Sequence, residues 1–299
     1  LLVEMSVHVN TSGVMKGFHN GWGGRGRDAL SRIMAPVELE PLPFVDGPRG
    51  SVTVQRAAEL LESDELPPAA IAYLDPPYNI HQYGANYHLL TSAVRYDFYD
   101  PGPVGARTRA GIRTDHYRSD FCRRSRNDQG RRRASSAMKT VLDRIRAQYL
   151  LVSYNDEGII PGHEMVALLS AGGRHTVELL TQEHVKFRGG KSTQSSRKTT
   201  EYLFVVQRNR RQTQADLNAV GDRIARLLLE RRLLDSYVDP RSWHAQAEPS
   251  SGRLTVGDRE IAELGSDLRP QWVDMDGLEQ DQLTEVGARL RRAALDKPA

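Results

Sequence analysis

Cysteine is nearly absent from this 299-residue chain, in which Cys122 stands alone. No internal disulfide can form, and a reducing, cytoplasmic setting is the simplest expectation. Nothing beside Cys122 marks an activated thiolate, and with His116 it does not make a metal cluster, so no metal is expected. Long apolar runs are missing as well. Charged residues make up 26% of the chain, and no stretch approaches the roughly 18 apolar residues of a membrane span. A soluble protein with no membrane partner is expected. No signal peptide and no internal repeat are visible. The chain begins with Leu1 rather than Met, which suggests a fragment whose domain continues upstream.

The net charge of +3 hides an uneven distribution. Residues 101–150 hold 13 Lys and Arg against 4 Asp and Glu, whereas residues 239–299 hold 8 against 12. The two segments therefore have different surroundings. Between Asn10 and Arg27 lie six glycines, Phe18 and Trp22, and the basic residues Lys16, Arg25 and Arg27. Such a loop lets its backbone approach a ligand closely and sets cations to meet phosphates, or it is a flexible surface loop. Its glycine spacing is not that of a dinucleotide fingerprint.

Periodicity predicts a short strand at Val52 to Val54, a helix at Arg56 to Glu62 and a strand at Ile71 to Leu74. Further helices are predicted at Tyr87 to Val94, Met138 to Ala147 and His163 to Ala171, the last capped by Gly172 and Gly173. Asp97 to Gln129 reads as irregular. Tyr149 to Tyr154 is a second apolar strand, and Val177 to Thr181 and Tyr202 to Val206 form a hairpin whose basic tip is Lys186 to Lys198. Gln212 to Val238 is one amphipathic helix or a helix pair. The result is an α/β sheet with an antiparallel hairpin edge and a helical, acidic C-terminal extension. Three regions follow: 1–50, a DNA-contacting loop region; 51–210, a catalytic part; and 211–299, the extension, of unassigned role.

Ile71 to Leu74 lacks polar alternation and suits a strand covered on both faces. It stops at Asp75-Pro76-Pro77-Tyr78. The prolines send the chain away from the strand in a stiff, extended path. Just past the carboxyl end of a strand is where α/β sheets bind ligands. A proline-rich turn explains Pro76 and Pro77 but not the flanking acid and ring.

This tetrapeptide resembles the signature of the amino-methyltransferases. Tyr78-Asn79, Gln82-Tyr83 and Asn86-Tyr87-His88-Leu89-Leu90 extend the resemblance, as do Val152 to Asp156 and the basic hairpin tip. Over about residues 8 to 208 the chain resembles the Dam-like adenine-specific DNA methyltransferases, in the branch found in restriction-modification systems. The resemblance implies a class I, Rossmann-like S-adenosylmethionine-dependent fold lacking its N-terminal part. It implies methyl transfer to the amino group of adenine in double-stranded DNA, with a cognate restriction endonuclease as a possible partner. Two departures stand out. The family's glycine-rich FxGxG motif is not found, and where an acidic residue is expected to meet the adenosine, Gln55-Arg56-Ala57-Ala58 offers no carboxylate until Glu59.

The implied chemistry needs no nucleophilic side chain. Adenine's amino lone pair is delocalised into the ring, and two acceptors holding its hydrogens free it. Asp75 and the Pro76 carbonyl are the expected acceptors, with Pro77 and Tyr78 completing the catalytic motif. Asp75 and Tyr78 also face the cofactor. The target base must leave the duplex stack, and Tyr78 is expected to stack on it. Lys16, Arg25, Arg27, Lys186, Arg188, Lys191 and Arg197 are candidate phosphate contacts, with Asn79 and Tyr83 as further DNA contacts. Singly, each basic residue is as well explained as a solvated surface charge. Arg107 to Arg133 suits either DNA binding or disorder. Amino methylation of RNA, or a silent DNA-binding remnant, are the competing readings.

Overall fold

The computed structural model describes residues 36, 46–47, 50–63, 66–79, 82–100, 113, 115, 117–122, 128–185, 198–244 and 252–295. Two compact units divide the chain. The first draws its described residues from Leu1–Pro67 and Pro77–Ile145, the second from Pro68–Pro76, Arg146–Lys186 and Thr193–Ala299.

The first unit holds four helices among its described residues: α1 (Ala57–Glu62), α2 (Tyr83–Asn86), α3 (His88–Arg95) and α4 (Asp128–Arg144), with a 3-10 turn at Asp120–Cys122. α4 begins ten residues before the predicted Met138. Its buried stripe runs through Gly130, Ala134, Met138, Val141 and Leu142. The first two side chains are too small to register as apolar periodicity, and the neighbouring arginines masked them. α1 packs on α4, as does the 3-10 turn. Gln82 fixes that turn: its amide donates to the Ser119 and Cys122 carbonyls (both 3.2 Å) and accepts from the Ser119 N–H (2.9 Å). Cys122 is fully buried, and burial raises its thiol pKa, which makes it inert.

Arg113 is the first unit's internal brace, with only 2% of its side chain exposed. It forks onto Asp97 (2.8 and 2.7 Å) and Asp115 (2.9 and 2.7 Å) and lies over the Tyr99 ring. The hydrogen bonds from Arg113 hold both carboxyls below their ordinary range.

The second unit is built on a four-stranded sheet of β1 (Ala69–Leu74), β2 (Ala147–Asn155), β3 (Thr176–Val185) and β4 (Lys198–Gln207), in the order β1-β2-β4-β3. β1 and β2 are parallel, with Leu74 opposite Val152. β4 runs antiparallel to both β2 and β3. The mixed α/β sheet with its hairpin edge is thus present. α5 (Gly162–Ser170) and α6 (Gln214–Leu234) pack on each other and on β3. Val152, Tyr154, Phe204, Val206, Met165 and Ile224 are buried in this unit.

Several expectations need correction. Val52 to Val54 is not a strand, and Val52 and Val54 are 93% and 99% exposed. Among the described residues β1 is an edge strand and is not covered on both faces: Ile71 and Tyr73 are 59% and 60% exposed. An apolar run states what a strand could bury, while the neighbours decide what it does bury. α5 ends at Ser170, one residue before the predicted Ala171, because Ala171 already takes the left-handed conformation (φ 47) before Gly172 and Gly173 follow it.

The C-terminal extension is not simply helical. α6 is a single helix opened by a Thr213–Asp216 capping box. After it come β5 (Tyr237–Val238), α7 (Pro240–Trp243), and an antiparallel sheet of β6 (Arg253–Val256), β7 (Arg259–Leu264) and β8 (Pro270–Val273). α8 (Gln280–Ala293) and β9 (Ala294–Leu295), which pairs with β5, complete it. These strands hold four to six residues each, too few for alternation to show. Trp243, Leu254, Ile261, Met275, Val286 and Leu290 form their core, with Leu233 joining it from α6.

Candidate active site

Asp75 follows the last residue of β1 directly and is exposed. Among the described residues no hydrogen-bond or ion-pair partner is found for its carboxylate. It stands at the carboxyl end of a parallel strand pair, where the sheet's geometry leaves room for a ligand. Pro76 and Pro77 are half-buried, and between them the chain passes from the second unit to the first. Tyr78 and Asn79, in the first unit, are half-buried too. Asn79 lies 3.4 Å from the Tyr83 hydroxyl, and the Tyr83 ring stacks on Tyr87 at 6.1 Å and 11°. Tyr83 keeps 41% of its surface exposed, whereas Asn86 and His88 are buried. The run that follows the tetrapeptide thus divides into outward rings and inward polar groups.

The loop after β2 is the second ordered feature at that end of the sheet. The Tyr154 hydroxyl accepts from the Ile160 N–H at 3.0 Å, so the ring beneath the loop also anchors it. Gly158 lies against this ring: a Cβ there would be 2.0 Å from Tyr154 Cε1. Its φ is not in the left-handed region, so this position needs glycine for room rather than for conformation. Asn155 Oδ1 accepts from the Glu157 N–H at 3.1 Å. The Asp156 carboxylate accepts from Thr199 Oγ1 at 2.6 Å and from Arg231 of α6. Tyr202 nearby is buried, and burial first, then the Asp156 charge, pushes its phenol pKa up.

Against these elements the comparisons can be set. Residues 50–125 match the model of the D12 class N6 adenine-specific DNA methyltransferase. The matched segment contains Asp75 to Tyr78 and the stacked Tyr83 and Tyr87. This segment is similar to the D12-class methyltransferases.

Three curated proteins illustrate the relationship. The type II methyltransferase M.NlaIII of Neisseria lactamica is 31% identical over 178 residues, which is 58% of this chain and 48% of that protein. M.CviAII of Paramecium bursaria Chlorella virus 1 is 31% identical over 136 residues, covering 46% and 36%. The modification methylase LlaI of Lactococcus lactis subsp. lactis is 27% identical over 231 residues, covering 75% and 33%. The chain thus spans about half or less of the length of these relatives. No solved structure gives a significant match.

Sequence reasoning singled out Asp75, Pro76, Pro77, Tyr78, Asn79 and Tyr83, all of which the structure describes. Lys16, Arg25, Arg27, Lys186, Arg188, Lys191 and Arg197 lie outside the described residues. The last four fall in the connection between the antiparallel neighbours β3 and β4. Sequence reasoning missed Asp156, Thr199 and Arg231 as a group. In the sequence Asp156 is legible only as part of the polar end of a strand, and nothing marks Arg231 within its amphipathic helix. Among the described residues no group of three or more His, Cys, Asp or Glu is placed to hold a metal ion. No helix among them is long and apolar enough to cross a membrane.

Proposed function

We propose that this chain is the catalytic part of an enzyme that methylates the exocyclic amino group of adenine within a specific double-stranded DNA sequence. The observation that carries the proposal is the D12-class match over residues 50–125, with Asp75 unpaired among the described residues at the carboxyl end of β1. The names of the relatives, two type II methyltransferases and a modification methylase, support a place in a restriction-modification system with a cognate endonuclease. They also favour DNA over RNA as the substrate.

The residues fit a methyl donor and a base. S-adenosylmethionine, when bound, supplies the methyl group from its sulfonium. The Asp75 carboxylate and the Pro76 carbonyl accept the two amino hydrogens, draw the nitrogen toward tetrahedral geometry and free its lone pair. Asp75 then offsets the positive charge that develops on nitrogen. Pro77 keeps the backbone path stiff, and Tyr78 stacks on the extruded base. Asp75 and Tyr78 also line the donor's side of the pocket. Lys16, Arg25, Arg27, Lys186, Arg188, Lys191 and Arg197 meet phosphates, and Asn79 and Tyr83 add contacts near the target.

The finer fold belongs to this proposal. A class I sheet continues beyond β1 with further parallel strands, and the exposed Ile71 and Tyr73 support such a neighbour. A structure of the whole polypeptide should bury both against a strand from outside residues 50–299; finding them still exposed there would refute it.

Asp75→Ala is the direct test. Radiolabelled methyl transfer to DNA should be abolished while DNA affinity changes little. Normal turnover in that variant removes Asp75 from the mechanism, and transfer to RNA but not DNA replaces the substrate.

A further inference from the structure

We propose that Arg231, from the first helix of the C-terminal extension, is a positioning residue for the methyl-transfer site. It acts by clamping the loop that follows β2; its catalytic consequence rests on the methyltransferase reading above.

Asp75 and this loop leave the same end of the sheet, because β1 and β2 are parallel and in register up to Leu74 and Val152. The loop is therefore the structured neighbour of Asp75 within the second unit. Two elements, β4 and α6, converge on Asp156, whose side chain is 4% exposed. Its N–H donates to the Thr200 carbonyl at 3.1 Å, and its carboxylate accepts from Thr199 Oγ1 at 2.6 Å and from Arg231 Nη1. Arg231 Nη2 donates to Glu157 at 2.5 Å, and Nε lies 3.7 Å from Asp235. One guanidinium thus holds two consecutive carboxylates of the loop from a helix 74 residues away in sequence. Burial works against the Arg231 charge, yet Asp156 and then Glu157 outweigh it and hold its pKa above the ordinary value.

Such a cluster is a poor device for stability alone. Buried ion pairs roughly break even against apolar residues of equal volume, but a planar fork fixes orientation. Two consequences bear on the site. The backbone from Asn155 to Ile160 is held in one geometry at the end of the sheet from which Asp75 also leaves. Asp156 is also ion-paired, so this buried carboxylate is not left as an uncompensated charge. Thr199 and Thr200 open β4 directly after the basic connection 186–197. The clamp therefore ties the start of β4 to the site loop as well.

The test compares Arg231→Gln and Arg231→Lys with the parent in the full polypeptide, at a temperature where all three are folded. Amide exchange at Asp156, Gly158 and Ile160 should accelerate about tenfold or more in Arg231→Gln, while the β3–β4 amides keep their protection. Turnover should fall about 10- to 100-fold, the loss typical of a small misplacement, with KM for S-adenosylmethionine changing less than about threefold. Arg231→Lys should recover part of the turnover, because it keeps the charge and loses the fork. Unchanged exchange at the three amides overturns the clamp, whatever the activity. Unchanged turnover in a folded Arg231→Gln overturns the positioning role, as does a loss of protection spread evenly over the sheet. A parent protein that transfers no methyl group to DNA overturns the methyltransferase reading, and the positioning role falls with it. The exchange data then decide only whether the clamp exists.

Discussion

Gly158→Ala tests the construction of the site loop with a single methyl group. The added Cβ would lie 2.0 Å from Tyr154 Cε1 and 2.7 Å from both Cδ1 and Cζ. Ordinary carbon contacts are about 3.5–4.0 Å, so ring or loop must move by roughly 1.5 Å or more. The ring has little freedom, since Tyr154 is 1% exposed and its hydroxyl accepts from the Ile160 N–H. Overpacking of a filled interior costs about 1–3 kcal/mol. Displacing the ring also leaves the Ile160 N–H, in a residue 1% exposed, without its acceptor, for about 1–2 kcal/mol more. The sum of about 2–5 kcal/mol corresponds to a fall in Tm of roughly 5–15 °C for a domain of this size. Thermal melting followed by circular dichroism measures it. Tyr154→Leu in the same protein supplies the control: without the ring, adding the methyl group should cost less than about 1 kcal/mol, so the two changes couple strongly. A Gly158→Ala protein melting within about 1 °C of the parent refutes the reasoning. So does an equal loss in the Tyr154→Leu background, which would place the strain elsewhere.

Two further outcomes are expected. Trp243, 1% exposed and donating to the Thr255 carbonyl at 3.1 Å, anchors the core of the C-terminal extension. Trp243→Ala should cost about 3–5 kcal/mol, read by denaturant unfolding, and Trp243→Phe should recover most of the packing but not the hydrogen bond. The second outcome concerns acid. Arg113 lowers the pKa of Asp97 and Asp115 in the folded state, so their contribution is present above the ordinary carboxylate pKa. It is lost as pH falls through the lowered values. Denaturant midpoints should therefore drop as pH falls below the ordinary carboxylate range of about 4, less steeply in Asp97→Asn; equal slopes in both proteins would rule the brace out as their source.

Much of the second unit could be read from local pattern. β2, β3, β4 and α6 are long, and their apolar residues recur at strand or helix spacing over enough turns to be seen. Asp75 to Tyr78 was legible for a different reason, since its chemistry sits in consecutive residues and needs no partner to be noticed. Short elements escaped. β6, β7 and β8 are too brief for alternation, and the first two turns of α4 hide a stripe of glycine and alanine among arginines. The exposure of β1 was also invisible, because Ile71 and Tyr73 have the same composition whether or not a strand lies beside them.

The amino-acid sequence by itself determined the tetrapeptide, the strand that presents it, the hairpin and the resemblance to adenine methyltransferases. Each of these is written in neighbouring residues, where chain connectivity guarantees proximity. Only the tertiary structure decided that β1 is an edge, that Gly158 lies on the Tyr154 ring, and that Arg231 reaches Asp156 across 75 positions. A charge on a helix looks the same whether it faces water or a buried carboxylate, because the partner that gives it a role is chosen by packing.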